Sequence, residues 1–371
     1  MRSHIPALDG LRAIAVLLVI ATHTAHPLLG IGWVGVDVFF VLSGFLISRL
    51  LLTEIQETGT IRLGPFYGRR AARLYPALLL TLMLVALLAL TDLNESSEIT
   101  ALRAVIAGVY LSDLWVWGGG DLGPLTHTWS LAVEEQFYLL WPLLLLVQRT
   151  RARAGLVIAA GAASLAAMLW PHWPTGQIDH SAVYFAPWAR AWELLLGCGL
   201  AMSWPTVERA ARPWAAWAGC AAAAAVLATA PLFPVASAWQ ALLVGVSTVA
   251  VIWASGTRSL PVRVLAARPL RWIGDRSYGL YLYHYPAFWV AGQFALRRSM
   301  VAVVAMAIAL PVAYLSYRFV EVPIRRSVRS AFDQRRMSKV HGAGDDTAVH
   351  VRDLVTEHRE PANVHPLLRR E

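Results

Sequence analysis

Charge is what this chain has least of: Asp, Glu, Lys and Arg make up 15% of its 371 residues, against 57% hydrophobic residues and a mean hydropathy of +0.52. A soluble domain carries about 25% charged residues, so the deficit excludes an ordinary soluble fold and makes the bilayer the solvent of the chain. Cysteine is nearly missing as well. Cys198 and Cys220 both lie in apolar stretches and form no CxxC pair, which excludes a disulfide framework or a thiolate metal knuckle; no metal centre is expected. Acidic residues number 23 against 32 basic ones, for a formal charge of +9 and a pI near 10.0. A basic excess can mark nucleic-acid binding, but here the arginines cluster in short loops between apolar runs, which is a topology signal, and no nucleic-acid partner is expected. No internal repeat of fixed period is visible, and alanine-rich stretches such as Ala221 to Ala225 read as sites of close helix contact.

What the chain has in abundance is apolar runs. Spanning candidates lie near 11–29, 34–53, 74–91, 131–147, 154–170, 187–204, 212–230, 236–254, 272–294 and 301–320, with a weaker one at 99–117. A span needs roughly 20 residues, so the expected fold is all-α: a polytopic transmembrane bundle of about ten spans. The first run follows Arg2 and Arg12 and could be a cleaved leader, but a second long run begins at Trp33, so a retained helix is expected. Basic clusters at Arg62 to Arg73, Arg149 to Arg153, Glu208 to Arg212, Arg258 to Arg271 and Arg325 to Arg336 should all be cytoplasmic. With the N-terminus also inside, alternation holds only if 99–117, which carries Arg103 and Asp113, is a re-entrant or surface segment. Both termini are then cytoplasmic, and Arg297 and Arg298 fall outside against the rule. Residues 1–325 form the membrane domain and 326–371 a polar tail whose composition predicts disorder.

A charged side chain at mid-membrane costs about 2.5–3.5 kcal/mol on insertion scales, so each one needs a partner or a purpose. Arg12 and His23 are eleven residues apart, about three full turns, so they share a helix face with His23 roughly 16 Å deeper. That spacing suits a base above an anion-binding arginine, and equally a snorkelling arginine with a histidine in a polar contact. Asp37, in GVDVFFVLSGF, enters the next span from the side toward which His23 points; it can orient that imidazole or serve as a dipole-favoured helix N-terminal acid. In YGRRAARLYP, Arg69, Arg70 and Arg73 open the third span, and Arg70 and Arg73 lie on neighbouring positions of one face. Two guanidinium forks suit the phosphates of an acyl-CoA donor, while plain cytoplasmic anchoring explains them as well. The run THTWSLAVEEQFYLLWP carries His127, Glu134, Glu135 and Tyr138; adjacent acids diverge by about 100°, so at most one of the two faces a site, and an interhelical salt bridge is the alternative use. Arg190 and Glu193, three apart, read as a structural pair. In GDRSYGLYLYHYP, Tyr278, Tyr281, His284 and Tyr285 fall on broadly one face, either lining a substrate channel or forming an interfacial aromatic belt.

Taken together, Arg12 with His23, the GVDVFFVLSGF block, the RxxR of Arg70 and Arg73 and the WSLAVEEQFY block resemble the acyltransferase-3 family of membrane O-acyltransferases, over roughly residues 5 to 325. The resemblance implies an acyl-CoA donor on the cytoplasmic side, acetyl as the acyl group, a hydroxyl of a carbohydrate or glycosylated small molecule as acceptor, and no cofactor. By the same likeness His23 is catalytic, Arg70 and Arg73 hold the donor, and Arg12, Asp37 and Glu134 or Glu135 support the site. Some relatives carry a C-terminal SGNH-type domain, whereas this sequence continues into a polar tail, so a separate periplasmic or extracellular transferase partner is expected to be an option. The composition, rich in Ala, Arg and Trp, points to a GC-rich bacterium and its inner membrane. A transporter or flippase for an envelope glycan precursor is the rival reading, since intramembrane ionisable groups also mark transport paths.

Overall fold

In hydrocarbon every backbone N–H and C=O must be satisfied within the segment, so apolar runs of this length are bound to be helices. The computed structural model describes residues 4–23, 32–91, 97–147, 150–170, 180–229, 238–294, 296–332 and 334, and among them there is no strand. In chain order the helices are α1 (Pro6–Thr22), α2 (Gly32–Thr58), α3 (Leu63–Leu88), α4 (Ser97–Gly108), α5 (Ser112–Trp117), α6 (Trp129–Val147), α7 (Thr150–Leu169), α8 (His180–Phe185), α9 (Pro187–Val207), α10 (Pro213–Thr229), α11 (Ala238–Ala254), α12 (Leu260–Leu265), α13 (Arg268–Asp275), α14 (Ser277–Gly292) and α15 (Arg298–Ser316). A 3-10 turn, Gly123–Thr128, leads into α6, and a π-helical turn, Tyr317–Glu321, follows α15.

Each of the ten strong apolar runs contains a helix. Five helical stretches are both long and apolar enough to cross a bilayer: Gly32–Thr58, Leu63–Leu88, Gly123–Val147, Ala152–Leu169 and Ser299–Phe332. The other long helices are shorter or more polar; α10 and α11 have 17 residues each, and α9 has 21 but carries Arg190 and Glu193. The weak segment 99–117 is broken into helices of 12 and 6 residues, each far below spanning length, with Tyr110 in the left-handed region at φ 56° between them. Asp113 of α5 lies outside the five spanning stretches and accepts a bond from Gln136 Nε2 at 2.9 Å, which ties α5 to α6; burial pushes its carboxyl up to about 6. Residues 326–332, the first part of the expected tail, continue as helix, and the rest of the tail apart from residue 334 lies outside the described residues.

The core is organised around a crossing of α2 and α9 in which the backbones meet. A Cβ on Gly44 would run into the Leu194 carbonyl, and one on Gly197 into the Val41 carbonyl, so only glycine permits this approach. Cys198 donates to the Gly44 carbonyl at 3.6 Å in the same contact, which accounts for one cysteine as packing. On the other side, α1 lies against α2 and α14, and the apolar cluster that joins them includes Val16, Val19, Phe40, Leu280 and Phe288. These contacts place the ends of α1, α3, α6 and α14 around one interior space.

Candidate functional site

The first turns of α3 follow Arg62 and aim Arg69, Arg70 and Arg73 into a cavity of about 400 Å³, whose wall also includes Arg12 of α1 and Glu134 of α6. Four guanidinium groups against one lining carboxylate make a wall that favours a polyanion. The same cavity is lined by the apolar side chains of Phe39, Leu42, Leu46, Phe66 and Leu131 and by Ser130, Ser277, Tyr278 and Tyr281. A cavity lined by both guanidinium groups and apolar side chains fits an amphipathic ligand with an anionic head.

The two adjacent acids part company, as their 100° divergence requires. Glu134 faces the cavity, where it accepts from Ser43 Oγ at 3.0 Å and from the Tyr138 hydroxyl at 3.3 Å. Glu135 turns to Arg70 and accepts from its Nη2 at 2.8 Å and its Nε at 3.1 Å. The Arg70 guanidinium also lies 3.1 Å from the centre of the Tyr138 ring, so its position is set before any ligand arrives.

His23 caps the C-terminal end of α1, three turns beyond Arg12, and its backbone N–H still reaches the Ile20 carbonyl at 3.1 Å. Its ring packs 5.4 Å from that of His284, 4.9 Å from Tyr285 and 5.9 Å from Phe288, centre to centre. The 3-10 turn before α6 brings a third imidazole: His127 is 5.6 Å from His284 and stacks on Tyr285 at 5.1 Å. Tyr281 separates this histidine group from the cavity. Its hydroxyl donates to the His127 carbonyl at 2.9 Å and accepts from Ser130 Oγ at 2.5 Å, while its ring touches both His127 and His284 at 5.6 Å.

The structure thus brings Arg12, Arg70, Arg73, Glu134 and Tyr281 to one cavity, packs the tilted rings of His23 and His284 against each other beside it, and uses Glu135 to hold Arg70. Asp37 is elsewhere. It forms a fully buried ion pair with Arg190, which also meets Glu193 at 3.1 Å and sits 4.8 Å above the Tyr184 ring. The expected orientation of His23 by Asp37 is therefore replaced: a permanent cation in a dry interior holds a carboxylate far more strongly than a neutral imidazole does. The expected Arg190–Glu193 pair is present and has gained Asp37 as a third member. His127, Ser43 and Ser130 were not assigned roles by the sequence. Helical phase relates residues along one helix only, and His127 lies on a 3-10 turn with no phase relation to His23; its one signal was its place two residues before Trp129, where the WSLAVEEQFY block begins.

A family model described as an acyltransferase domain matches residues 5–318 of the chain. Among curated proteins, the chain is 34% identical to the peptidoglycan O-acetyltransferase OatA of Listeria monocytogenes over 358 residues, 88% of this chain and 56% of that protein. It is 33% identical to the putative peptidoglycan O-acetyltransferase YrhL of Bacillus subtilis, over 90% of this chain and 56% of the relative. With the O-acetyltransferase OatA of Staphylococcus aureus it shares 34% identity over 89% of this chain and 58% of the relative. The chain spans a little over half the length of these relatives. No solved structure matches it.

Proposed function

The chain belongs to the acyltransferase-3 family, and from that premise we propose that it transfers an acyl group, acetyl first among them, from acyl-CoA to a hydroxyl of a carbohydrate such as peptidoglycan. The observation that carries this reading is that one helix, α1, links the two working ends: Arg12 lines the arginine-rich cavity and His23 packs into the histidine group beyond it. The phosphates of the donor bind at Arg12, Arg69, Arg70 and Arg73 on the cytoplasmic side. Its pantetheine arm runs along the apolar wall, and its thioester reaches Tyr281 and the histidines. There His23 activates the acceptor hydroxyl or briefly carries the acyl group, either of which suits an imidazole beside a water-poor cavity. The bacterial inner membrane, with both termini inside, is the location consistent with this orientation, and a glycan-bound acceptor approaches from the opposite face, alone or through a separate extracytoplasmic transferase.

CoA binding to the purified full chain tests the donor site. Each of Arg70→Ala and Arg73→Ala should weaken CoA roughly 10-fold or more, the scale of one charge-assisted contact, and change the choice among acceptors little. Equal CoA affinity in both variants, or altered acceptor choice with unaltered CoA affinity, would contradict the assignment.

A further inference from the structure

The reaction just described needs a group that takes the acceptor proton, and His284 is held in the form that can do so. Its Nδ1 lies 2.6 Å from the Tyr281 carbonyl and 3.1 Å from the Leu280 carbonyl. A carbonyl oxygen only accepts, so Nδ1 carries the hydrogen and Nε2 carries the lone pair. That Nε2 is buried, has no hydrogen-bond partner, and belongs to a ring whose residue is 0% exposed. A buried polar atom without a partner is rare enough to need a reason. Two imidazoles flank its ring, His23 at 5.4 Å and His127 at 5.6 Å between ring centres, and of the two His23 is the one that shares α1 with Arg12 of the cavity.

We propose that His284 is a second catalytic residue, the base that relays a proton between the acceptor hydroxyl and His23; the proposal rests on the acyl-CoA reading above. In the first half, a His23 ring nitrogen attacks the thioester carbonyl, the C–S bond breaks, and the proton released from the imidazole passes to the departing thiolate. In the second half, the acceptor oxygen attacks the acyl carbon on His23. Its O–H proton goes to His284 Nε2 as the new C–O bond forms, and His284 returns that proton to the His23 nitrogen from which the acyl group departs. The sum is one thioester and one alcohol converted to one ester and one thiol. His284 ends as it began. The Nδ1–H···O=C bond keeps Nε2 as the nitrogen with the lone pair throughout, as an orienting carboxylate does for a catalytic histidine elsewhere.

His284→Asn separates this role from a structural one, because the Asn amide still offers a donor to the Tyr281 carbonyl but has no basic nitrogen. Membranes holding the full-length protein would be given labelled acetyl-CoA and soluble peptidoglycan fragments, with CoA binding measured in parallel. Transfer should fall about 10²–10⁴-fold in His284→Asn, the usual contribution of a general base, while CoA binding stays at the wild-type level. Label retained on the protein in that variant, and absent from a His23→Ala protein, supports the order of steps. Wild-type transfer by His284→Asn would overturn the proposal alone, as would its loss of CoA binding, which would make His284 a packing residue. A wild-type protein that neither binds CoA nor transfers acetyl would overturn the donor reading, and this one with it.

Discussion

At the residue scale the most exacting feature is Arg190, one cation shared by two carboxylates with all three side chains at most 1% exposed. Removing one member of such a group leaves charge buried without compensation, at a cost of about 3–5 kcal/mol. Arg190→Leu is therefore expected to lower the melting temperature of the detergent-purified protein by several degrees and reduce its yield, and an unchanged melting curve would show the triad to be dispensable. The contrast between Asp37 and His23 also shows what sequence can and cannot give at this scale. Arg12 and His23 are legible together because one helix carries both and its pitch sets their phase. The partner of Asp37 lies 153 residues away on α9, and nothing local to either residue announces it. The same holds for Glu134 and Glu135: their divergence is readable from adjacency, but which one meets Arg70 depends on how α3 and α6 are docked.

At the element scale α1 acts as a spacer between donor and histidine ends. Inserting one alanine between Leu17 and Leu18 would rotate His23 by about 100° and move it by about 1.5 Å relative to Arg12. The expected outcome is CoA binding close to wild type with acetyl transfer reduced at least 100-fold, since misplacement of about 1 Å costs that much. Equal loss of both would show that the insertion breaks the bundle, and retention of both would show that the phase of α1 is irrelevant. The long helices were legible, because apolar run length alone demands them, whereas the short α8 and α12 lie outside every run; the weak 99–117 segment stood out because alternation of the basic clusters leaves room for only an even number of crossings between Arg73 and Arg149. The division of that segment at Tyr110 was not legible: Gly108 closes α4, but a glycine inside an apolar run also reads as a close helix contact, and it is Tyr110 that takes the left-handed conformation. Nor was the α2–α9 crossing, where Gly44 and Gly197 matter through the backbone they meet and not through any pattern in their own helices.

At the scale of the whole molecule, an arginine-lined cavity and a group of three histidines meet at a single tyrosine, Tyr281, latched to Ser130 and to the His127 carbonyl. The proposed transfer requires such a meeting point, where an anionic donor held by the arginines brings its acyl group to the histidines. The composition foretold the membrane, and the motifs named Arg12, Arg70, Arg73, Glu134 and Tyr281, which line one cavity. The tyrosine latch and the third histidine emerge only from the folded arrangement, because α6 and α14 are more than a hundred residues apart in sequence and meet through tertiary packing alone. The central claim is that acyl transfer passes through His23. Its most direct test is labelled-acetyl transfer from acetyl-CoA in membranes containing wild-type or His23→Ala protein at matched expression, with glycans and small molecules extracted for mass spectrometry. The account predicts a labelled, ester-linked product with the wild type and none with His23→Ala, at equal CoA binding; undiminished product with His23→Ala would contradict it.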